Sequence, residues 1–417
     1  MTKTTLVLGA APRVAVPIAR SLHGLGVPCI VGTFSPKNSA LGSNAVLRTV
    51  RLPHPADGAA FITALTSLIE SESIDAIFPG SDLAMGGIGD HYERLAKLVY
   101  PGCPPPDVMR GAFEKRRTFE AASACGIELP RSYIAGTVAE LDELRGEILF
   151  PVIAKRRSAA VAGDFKIRHY FSFEALRADY LAYPSMGAET ILQDYDGGEG
   201  VGLVVIVRGG QVLAPFQYRS RRELPTTGGV SCVVESEKLD DELFARTVSM
   251  LRALRWEGIA MVEFMRDRST RRCTFLELNG RYWGCLALAM QSGFDYPAYE
   301  WRLAHGQDPN IPGSYRVGVR SRWTGGVIRR LGAVGGEAHR RLVGTSRLQE
   351  VFVTALEFMP PARSALWSWR DPVPAIWDGA AASAGVIRDL WESMARRFGR
   401  RKVATVTARM RGASVRL

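Results

Sequence analysis

Two glutamates and an asparagine are the side chains of this sequence best suited to hold a metal ion. Glu263 lies in the strand-like segment GIAMVEFMRD, and Glu277 and Asn279 lie in CTFLELNGRYW. Residues two apart on an extended segment point to one face, and Glu263 joins that face if the two segments are neighbouring strands. Two carboxylates and an amide oxygen suit Mg²⁺, which keeps oxygen ligands while it bridges substrate phosphates. The alternative is a pair of glutamates that face solvent on a half-buried sheet.

Two of the eight lysines stand where they could neutralise phosphate groups. Lys155 follows the apolar run FPVIA, where a lysine is otherwise disfavoured, and Lys115 lies on a helix just before this module. The segment 156–163 after Lys155 reads as a turn that could cover phosphates. Snorkelling of both lysines at the ends of a strand and a helix is the alternative.

Arginines stand close to these groups in the sequence. Arg219 and Arg221 lie in QYRSRRELPTTGG, and Arg281 follows Asn279 by two positions. Arginine forks match phosphate and carboxylate oxygens bidentately, so these side chains could steady a phosphoryl group. As an isolated cluster they could also form a solvated face.

The elements that must position these residues fall into two patterns. Near the N-terminus, apolar strand-like runs alternate with helical patterns: TTLVLG, a helix from Val14 to Leu25, VPCIVGTF, a helix over 57–72 and DAIFPG. This alternation predicts a parallel, doubly wound sheet whose functional rim, including Ser81 and Asp82, lies beyond the carboxyl ends of its strands. The middle of the chain reads instead as antiparallel strands, with a hairpin around Gly209 and Gly210.

Composition excludes several other classes of protein. The six cysteines are far apart and form no CxxC pair, and the six histidines form no HxxxH or HExxH pattern, which argues against zinc and disulfide frameworks. No apolar run reaches the length of a membrane helix. The start of the chain lacks a secretory signal, so we expect a cytoplasmic protein.

The net charge of +11 arises largely from arginines near the C-terminus. Residues 396–417 carry eight basic side chains and no acidic one. A solvated tail is one interpretation, and a surface for an anionic partner, with peripheral membrane contact, is another. No aromatic-interleaved basic motif is present, so we expect no nucleic acid partner. An amphipathic helix over about 378–398, with Ile387, Leu390, Trp391 and Met394 on one face, is predicted to pack on the protein's own core, and a membrane surface is the alternative.

The order of these features resembles the ATP-grasp superfamily, and within it the carboxylate–amine ligases that include D-aspartate ligase-like enzymes. The likeness covers about residues 4–305. The segments that carry it are Glu114-Lys115 with CGIELPRSY, the strand Phe150–Lys155, the hinge Gln193–Gly197, the arginine motif Tyr218–Gly229 and the motif Glu277–Gly284.

The resemblance implies a fold with four parts. These are an N-terminal doubly wound α/β domain (1–107), two antiparallel α+β lobes that clamp ATP (108–200 and 201–320) and a basic C-terminal extension (321–417). It also implies ATP and Mg²⁺ as cofactors, with Mn²⁺ as an alternative metal.

The resemblance assigns roles to single residues. Adenine would bond to the backbone of Gln193, Asp194 and Tyr195, and ribose to Glu199. Lys115 and Lys155 would neutralise the α- and β-phosphates. Glu263, Glu277 and Asn279 would hold Mg²⁺, while Arg219, Arg221 and Arg281 would steady the phosphoryl group and the acyl phosphate.

The activity so implied is an ADP-forming ligase that joins a small carboxylate to an amine, with an amino acid on at least one side. One alternative is an ATP-grasp-like kinase that phosphorylates a small molecule without coupling an amine. Another is a nucleotide-binding module whose basic C-terminus docks on an anionic surface.

Overall fold

A computed structural model describes residues 3–35, 42–156, 167–183, 186–187, 190–334, 336–389 and 391, with the backbone alone at 110–113, 156 and 347. The strands are β1 Thr4–Leu8, β2 Cys29–Thr33, β3 Arg48–Arg51, β4 Ile74–Pro79, β5 Ser132–Tyr133, β6 Val152–Arg156, β7 Ile167–Tyr170, β8 Thr190–Asp194, β9 Glu199–Arg208, β10 Gln211–Leu224, β11 Val230–Glu237, β12 Gly258–Arg266, β13 Cys273–Asn279, β14 Arg320–Arg322 and β15 Arg363–Ser364. The helices are α1 Pro12–Gly24, α2 Gly58–Ser71, α3 Asp82–Asp90, α4 Tyr92–Leu95, α5 Pro106–Phe113, α6 Lys115–Ala124, α7 Val138–Glu143, α8 Phe173–Ala182, α9 Asp241–Ala253, α10 Leu286–Ser292, α11 Tyr296–Ala304, α12 Thr324–Ala333, α13 Glu337–Leu342, α14 Arg347–Glu357 and α15, residues 373–389.

The N-terminal sheet is parallel throughout and has the strand order β3-β2-β1-β4. The predicted alternation of strands and helices is therefore confirmed, with α1 and α2 as the crossovers. The loops after β1 and β4 meet at the carboxyl edge, where Gly9 adopts a φ of 68°. A Cβ there would lie 2.7 Å from Ser81 Oγ, so only glycine allows the two loops to approach.

A second sheet, with the order β5-β8-β6-β7, is antiparallel. Buried Phe173 and Leu176 of α8 and Leu141 of α7 pack against its strands and form a separate small core. This sheet carries Lys155 on β6 and Gln193 on β8.

The third and largest sheet has seven strands in the order β13-β12-β9-β10-β11-β14-β15. The hairpin predicted at Gly209 and Gly210 joins β9 to β10, and both glycines have positive φ. One face of the sheet packs against α6 and α9. The other face shares a core with α1, because Val14 clusters with Val204 and Tyr218. The N-terminal domain and this large lobe therefore have one continuous apolar core.

The C-terminal extension adds to the large lobe and ties it to the N-terminal domain. Strand β15 extends the seven-stranded sheet beyond residue 320, and α12 packs on β10 and β11. Asp371 accepts hydrogen bonds from Arg20 of α1 at 2.9 Å and from Ser43 at 2.6 Å. Within the described ranges, no helix is long and apolar enough to cross a membrane.

Two features predicted from the sequence fall outside the described residues, and one prediction is wrong. The turn over phosphates lies almost wholly in 157–166, and the basic tail lies in 392–417. Ile387 and Trp391 do not pack on the core, because both side chains are exposed to solvent. The inner side of α15 carries the buried Ala382 instead. Leu390 and Met394 of the same predicted face lie outside the described residues.

Candidate active site

The structure brings the three oxygen-bearing residues together at one edge of the large sheet. Glu263 of β12 lies directly opposite Glu277 of β13, and the two carboxyl groups are hydrogen-bonded to each other. Asn279 Nδ2 donates to Glu277 Oε1 at 2.9 Å. Glu263 is half-buried, whereas the side chain of Glu277 is exposed to solvent.

The two carboxyl groups cannot both be charged without repulsion. Burial raises the pKa of Glu263 well above its ordinary value, and the charge of Glu277 raises it further. Enclosure by the surrounding protein also favours a higher pKa for Glu277, but hydrogen bonds with Glu263 and Asn279 and the charges of Arg281 and Lys115 lower it. The pair therefore shares one proton and titrates as a unit.

Both predicted lysines reach this acidic group. Lys155 Nζ donates to Gln193 Oε1 at 2.7 Å, so the neighbouring small-lobe strand β8 fixes the ammonium. Burial lowers the pKa of Lys155 to about 8, and the positive charge of Lys115 acts in the same direction, while Glu277 and Glu263 oppose it. Burial lowers the pKa of Lys115 too, against the charge of Glu277. Two cations and two carboxyl groups thus lie in one cleft between the lobes.

Arg281 connects this cleft to the N-terminal domain. Its Nε and Nη2 donate to the two carboxylate oxygens of Asp82 at 3.0 and 3.2 Å. Ser81 caps the N-terminus of α3 and so fixes Asp82 in the first turn of that helix. Burial would lower the pKa of Arg281, but the carboxylates of Asp82, Glu277 and Glu263 raise it. The guanidinium is therefore held beside the carboxyl pair as a permanent cation.

The predicted hinge segment crosses between the lobes, but part of its backbone is already bonded. The Asp194 N–H donates to the Arg131 carbonyl at 3.0 Å, and the Tyr195 N–H donates to the Pro151 carbonyl at 3.0 Å. A ligand at these two residues would therefore have to use their carbonyl oxygens rather than their N–H groups.

Three predicted residues lie on the opposite face of the large sheet from the carboxyl pair. Tyr218, rather than Arg219, is in register with Gly202 and Glu263 across the sheet, so side-chain alternation turns Arg219 away. Arg219 lies 3.1 Å and Arg221 2.9 Å from the carboxylate of Glu235. The predicted position of these two arginines beside the phosphoryl group is therefore corrected.

Glu199 belongs to the same ion-pair network. Its carboxylate accepts a hydrogen bond from Arg266, which lies opposite it on β12, and it lies 3.6 Å from Arg219. The placement of Glu199 beside a ribose is therefore corrected as well, because the carboxylate is held on the far face.

Two residues that the sequence analysis did not single out occupy the cleft face instead. Tyr218 and Glu223 line a cavity of about 60 Å³ together with Glu263 and Met265. Burial raises the pKa of Glu223. Alternation from Tyr218 would have identified the face, but the register of β10 shifts around Arg222 and moves Glu223 onto it.

Arg13 is a further residue that sequence reasoning missed. It lies at the start of α1, with its guanidinium 4.4 Å above the ring of Trp323 and packed onto the bare backbone of Gly284. Its Nη1 is buried and has no hydrogen-bond partner within the described part of the chain. Burial lowers the pKa of Arg13, although Cys285 opposes this, and the nearby charge of Arg281 lowers it further. Two guanidinium groups thus approach each other at the border between the two domains.

Comparisons with known proteins give structural matches only. No family model matches the chain, and no curated protein matches it. The L-amino acid ligase from Bacillus licheniformis is similar with a TM-score of 0.58 and 15% identity, over 72% of this chain and 74% of that one. Biotin carboxylase from Campylobacter jejuni is similar with a TM-score of 0.59 and 18% identity, over 76% of this chain and 74% of that one.

N5-carboxyaminoimidazole ribonucleotide synthetase from Thermus thermophilus gives a TM-score of 0.58 and 17% identity, over 76% of this chain and 81% of that one. The likeness to these three structures, each under 25% identical, concerns the fold. This chain therefore has the ATP-grasp fold.

Proposed function

We propose that this chain is an ATP- and Mg²⁺-dependent ligase, which joins the carboxylate of one small molecule to the amine of another. The observation that carries the proposal is the cleft in which Lys115 and Lys155 face the carboxyl groups of Glu263 and Glu277. Cations for phosphate and oxygen ligands for a metal are the groups that phosphoryl transfer requires.

The residues at the carboxyl pair fit a magnesium ion. Glu263 and Glu277 are close enough to share a proton, and a divalent cation that displaces this proton would relieve their repulsion. Across the described residues no group of three His, Cys, Asp or Glu side chains gathers, so two carboxylates and the Asn279 amide oxygen form the set. This suits Mg²⁺, which keeps several waters, and Mn²⁺ takes the same ligands. Held by these residues, the ion would neutralise negative charge on the phosphates of ATP.

The nucleotide would lie between the small lobe and the large sheet. Lys155, held by Gln193, and Lys115 would bind the phosphates as point charges. The carbonyl oxygens of Asp194 and Tyr195 would accept hydrogen bonds from adenine. Glu223, whose carboxylate lies on the cleft face, would take the place beside ribose that the sequence analysis gave to Glu199.

The reaction would proceed in two displacements. A carboxylate oxygen of the substrate attacks the γ-phosphorus, the bond to the β,γ-bridging oxygen breaks, and ADP leaves with an acyl phosphate behind. The amine then attacks the acyl carbon, the carbon–oxygen bond to phosphate breaks, and the amine loses a proton. Arg281, held by Asp82, stabilises the charge that develops on the transferring oxygens.

The substrate side of the cleft would be the border with the N-terminal domain. Arg13 presents a buried Nη1 without a partner among the described residues, and Arg281 lies on the same border. A guanidinium binds a carboxylate bidentately. We therefore assign to Arg13 the carboxylate of an amino acid, in support of the class of substrate that the sequence analysis expected.

The test is ADP release by the purified protein with Mg²⁺-ATP and pooled small carboxylates and amines, beside Glu277→Gln and Glu174→Gln. Glu174 is a matched glutamate on α8 that lies exposed in a surface ion pair. We expect release that needs both pools, falls at least about 100-fold in Glu277→Gln and persists in Glu174→Gln.

Other outcomes separate the alternatives. ADP release that needs no amine would support the small-molecule kinase. Binding of ATP without turnover under any pool would support the nucleotide-binding module. Failure of the wild-type protein to bind ATP would overturn the nucleotide site itself.

A further inference from the structure

Helix α14 of the C-terminal extension buries its charged side and exposes its apolar side. Its glutamates face the protein: Glu350 is buried against the guanidinium of Arg330, and Glu357 is buried close to Arg222. Its apolar side faces solvent, with exposed fractions from 50% to 79% at Leu348, Val351, Phe352 and Leu356. A surface helix that packs only on its own protein normally buries its apolar side and exposes its charged side.

Helix α15 repeats this arrangement. Asp378 points inward and accepts hydrogen bonds from Trp323 Nε1 at 3.1 Å and from the Gly325 N–H at 2.9 Å. The large apolar residues point outward, with exposed fractions from 57% to 70% at Ile376, Trp377, Ile387 and Trp391. The spacing 376, 387 and 391 places these residues along one side of the helix.

The two helices lie on the same part of the molecule, because both are bonded to α12. Arg330 of α12 binds Glu350 of α14, and the N-terminus of α12 binds Asp378 of α15. The connection between them also exposes apolar side chains, including Met359 and Trp369. We define the C-terminal apolar surface as the exposed apolar residues of this region: Leu348, Val351, Phe352, Leu356, Met359, Trp369, Ile376, Trp377, Ile387 and Trp391.

The charge of this region identifies the partner. Residues 320–417 hold eighteen Lys or Arg and seven Asp or Glu, whereas residues 1–319 hold thirty-five of each sign. The whole net charge of +11 thus belongs to the segment that carries the apolar surface. If a second copy of the chain bound through the same segment, two positively charged segments would meet and repel each other. The partner that complements this charge is therefore anionic.

We propose that the C-terminal apolar surface docks on a membrane that contains anionic lipids. Exposed tryptophans, apolar helix sides and a basic flank are the features of helices that lie in the interface plane of a bilayer. Tryptophan rings match the headgroup level, and basic side chains are attracted to acidic lipids. This activity is independent of the ATP cleft and would hold the enzyme at the membrane surface.

Flotation of the full chain with vesicles tests the proposal. Vesicles of phosphatidylcholine alone are compared with vesicles containing about 30% phosphatidylglycerol, at low and at high salt. We expect binding to the anionic vesicles that high salt weakens, a blue shift of tryptophan fluorescence, and little binding to phosphatidylcholine.

The double variant Leu348→Ser/Phe352→Ser should bind at least about tenfold more weakly, since two exposed apolar anchors are lost. Leu47→Ser removes a leucine of the N-terminal domain that is also mostly exposed, and this variant should bind as the wild type does. Thermal stabilisation by Mg²⁺-ATP, compared in all three proteins, shows that each variant is folded.

Three results would overturn the proposal. They are absence of binding to anionic vesicles, equal binding by the double variant, and a dimer in vesicle-free solution that the double variant dissociates. The last result would assign the surface to a second copy of the chain. Absence of ATP turnover in the wild type would bear on the proposed ligase alone.

Discussion

The charged side chains of the cleft depend on one another at the scale of single residues. Lys155 lies beside Lys115, Glu263 and Glu277, and its ammonium donates a hydrogen bond to the neutral amide of Gln193 at 2.7 Å. Such a lysine is costly to bury unless an anion joins it. The arrangement thus favours a bound phosphate rather than the empty protein.

Lys155→Met should therefore weaken ATP binding without unfolding the chain. We expect the Kd for Mg²⁺-ATP to rise at least about tenfold, because one phosphate-binding charge is lost. The melting temperature of the unligated protein should stay level or rise, because a partly desolvated charge is removed. Isothermal titration calorimetry and thermal melts measure both, with the exposed Lys97→Met as the control. An unchanged Kd would refute the phosphate role.

Side-chain alternation along β10 decides, at the scale of elements, which residues can take part in chemistry. Tyr218 shares a face with Glu263, and Arg219 shares the other face with Glu235 and Glu199. Arg281 lies two residues after the end of β13, and its guanidinium binds Asp82 beside the cleft. The two arginines should consequently behave differently when substituted.

Arg219→Gln is expected to lower stability by about 1–2 kcal/mol, because the partly exposed ion pairs with Glu235 and Glu199 are lost. Its kcat per folded molecule should remain near that of the wild type. Arg281→Gln should instead lower kcat about 100-fold with little change in the Kd for ATP. Urea unfolding and steady-state ADP release measure the two effects. A kcat loss in Arg219→Gln as large as that in Arg281→Gln would return Arg219 to the active site.

A buried carboxyl group joins the domains at the scale of the whole molecule. Glu300 of α11 accepts hydrogen bonds from Tyr100 of the N-terminal domain at 3.2 Å and from Tyr282 after β13 at 2.6 Å. Burial raises the pKa of Glu300 to about 7, although the two hydroxyl donors lower it. The ordinary value is 4.5, so the folded chain holds a proton that the unfolded chain has lost between these two values.

Stability should therefore fall as the pH rises from about 4.5 to about 7, by up to about 3 kcal/mol, and the loss is complete above this window. Glu300→Gln keeps one of the two acceptor oxygens, replaces the other with an amide NH₂ group and does not titrate, so this part of the pH dependence should disappear. Urea unfolding of both proteins at pH 5, 6, 7 and 8 measures it. The same slope in wild type and variant would show that Glu300 does not titrate in this range.

The architecture was largely predictable because its signals are local. The alternation of β1, α1 and β2, the turn at Gly209 and Gly210 and the spacing of Glu277 and Asn279 depend on neighbouring residues. The prediction that Glu263 shares a face with Glu277 depended on the pairing of β12 with β13, and strands that are close in the sequence commonly pair. The exposed sides of α14 and α15 could not be predicted, because their apolar stripes alone read as core.

By itself the sequence determined the order of the elements, the oxygen and lysine groups of the cleft and the basic C-terminal segment. Only the tertiary structure decided that Arg219, Arg221 and Glu199 face away from the cleft and that Glu223 and Arg13 border it. The physical reason is the distance along the sequence over which each feature is determined. Residue type and period are set within a few positions, whereas a register shift in β10 or a contact between α1 and Trp323 depends on residues far apart in the chain.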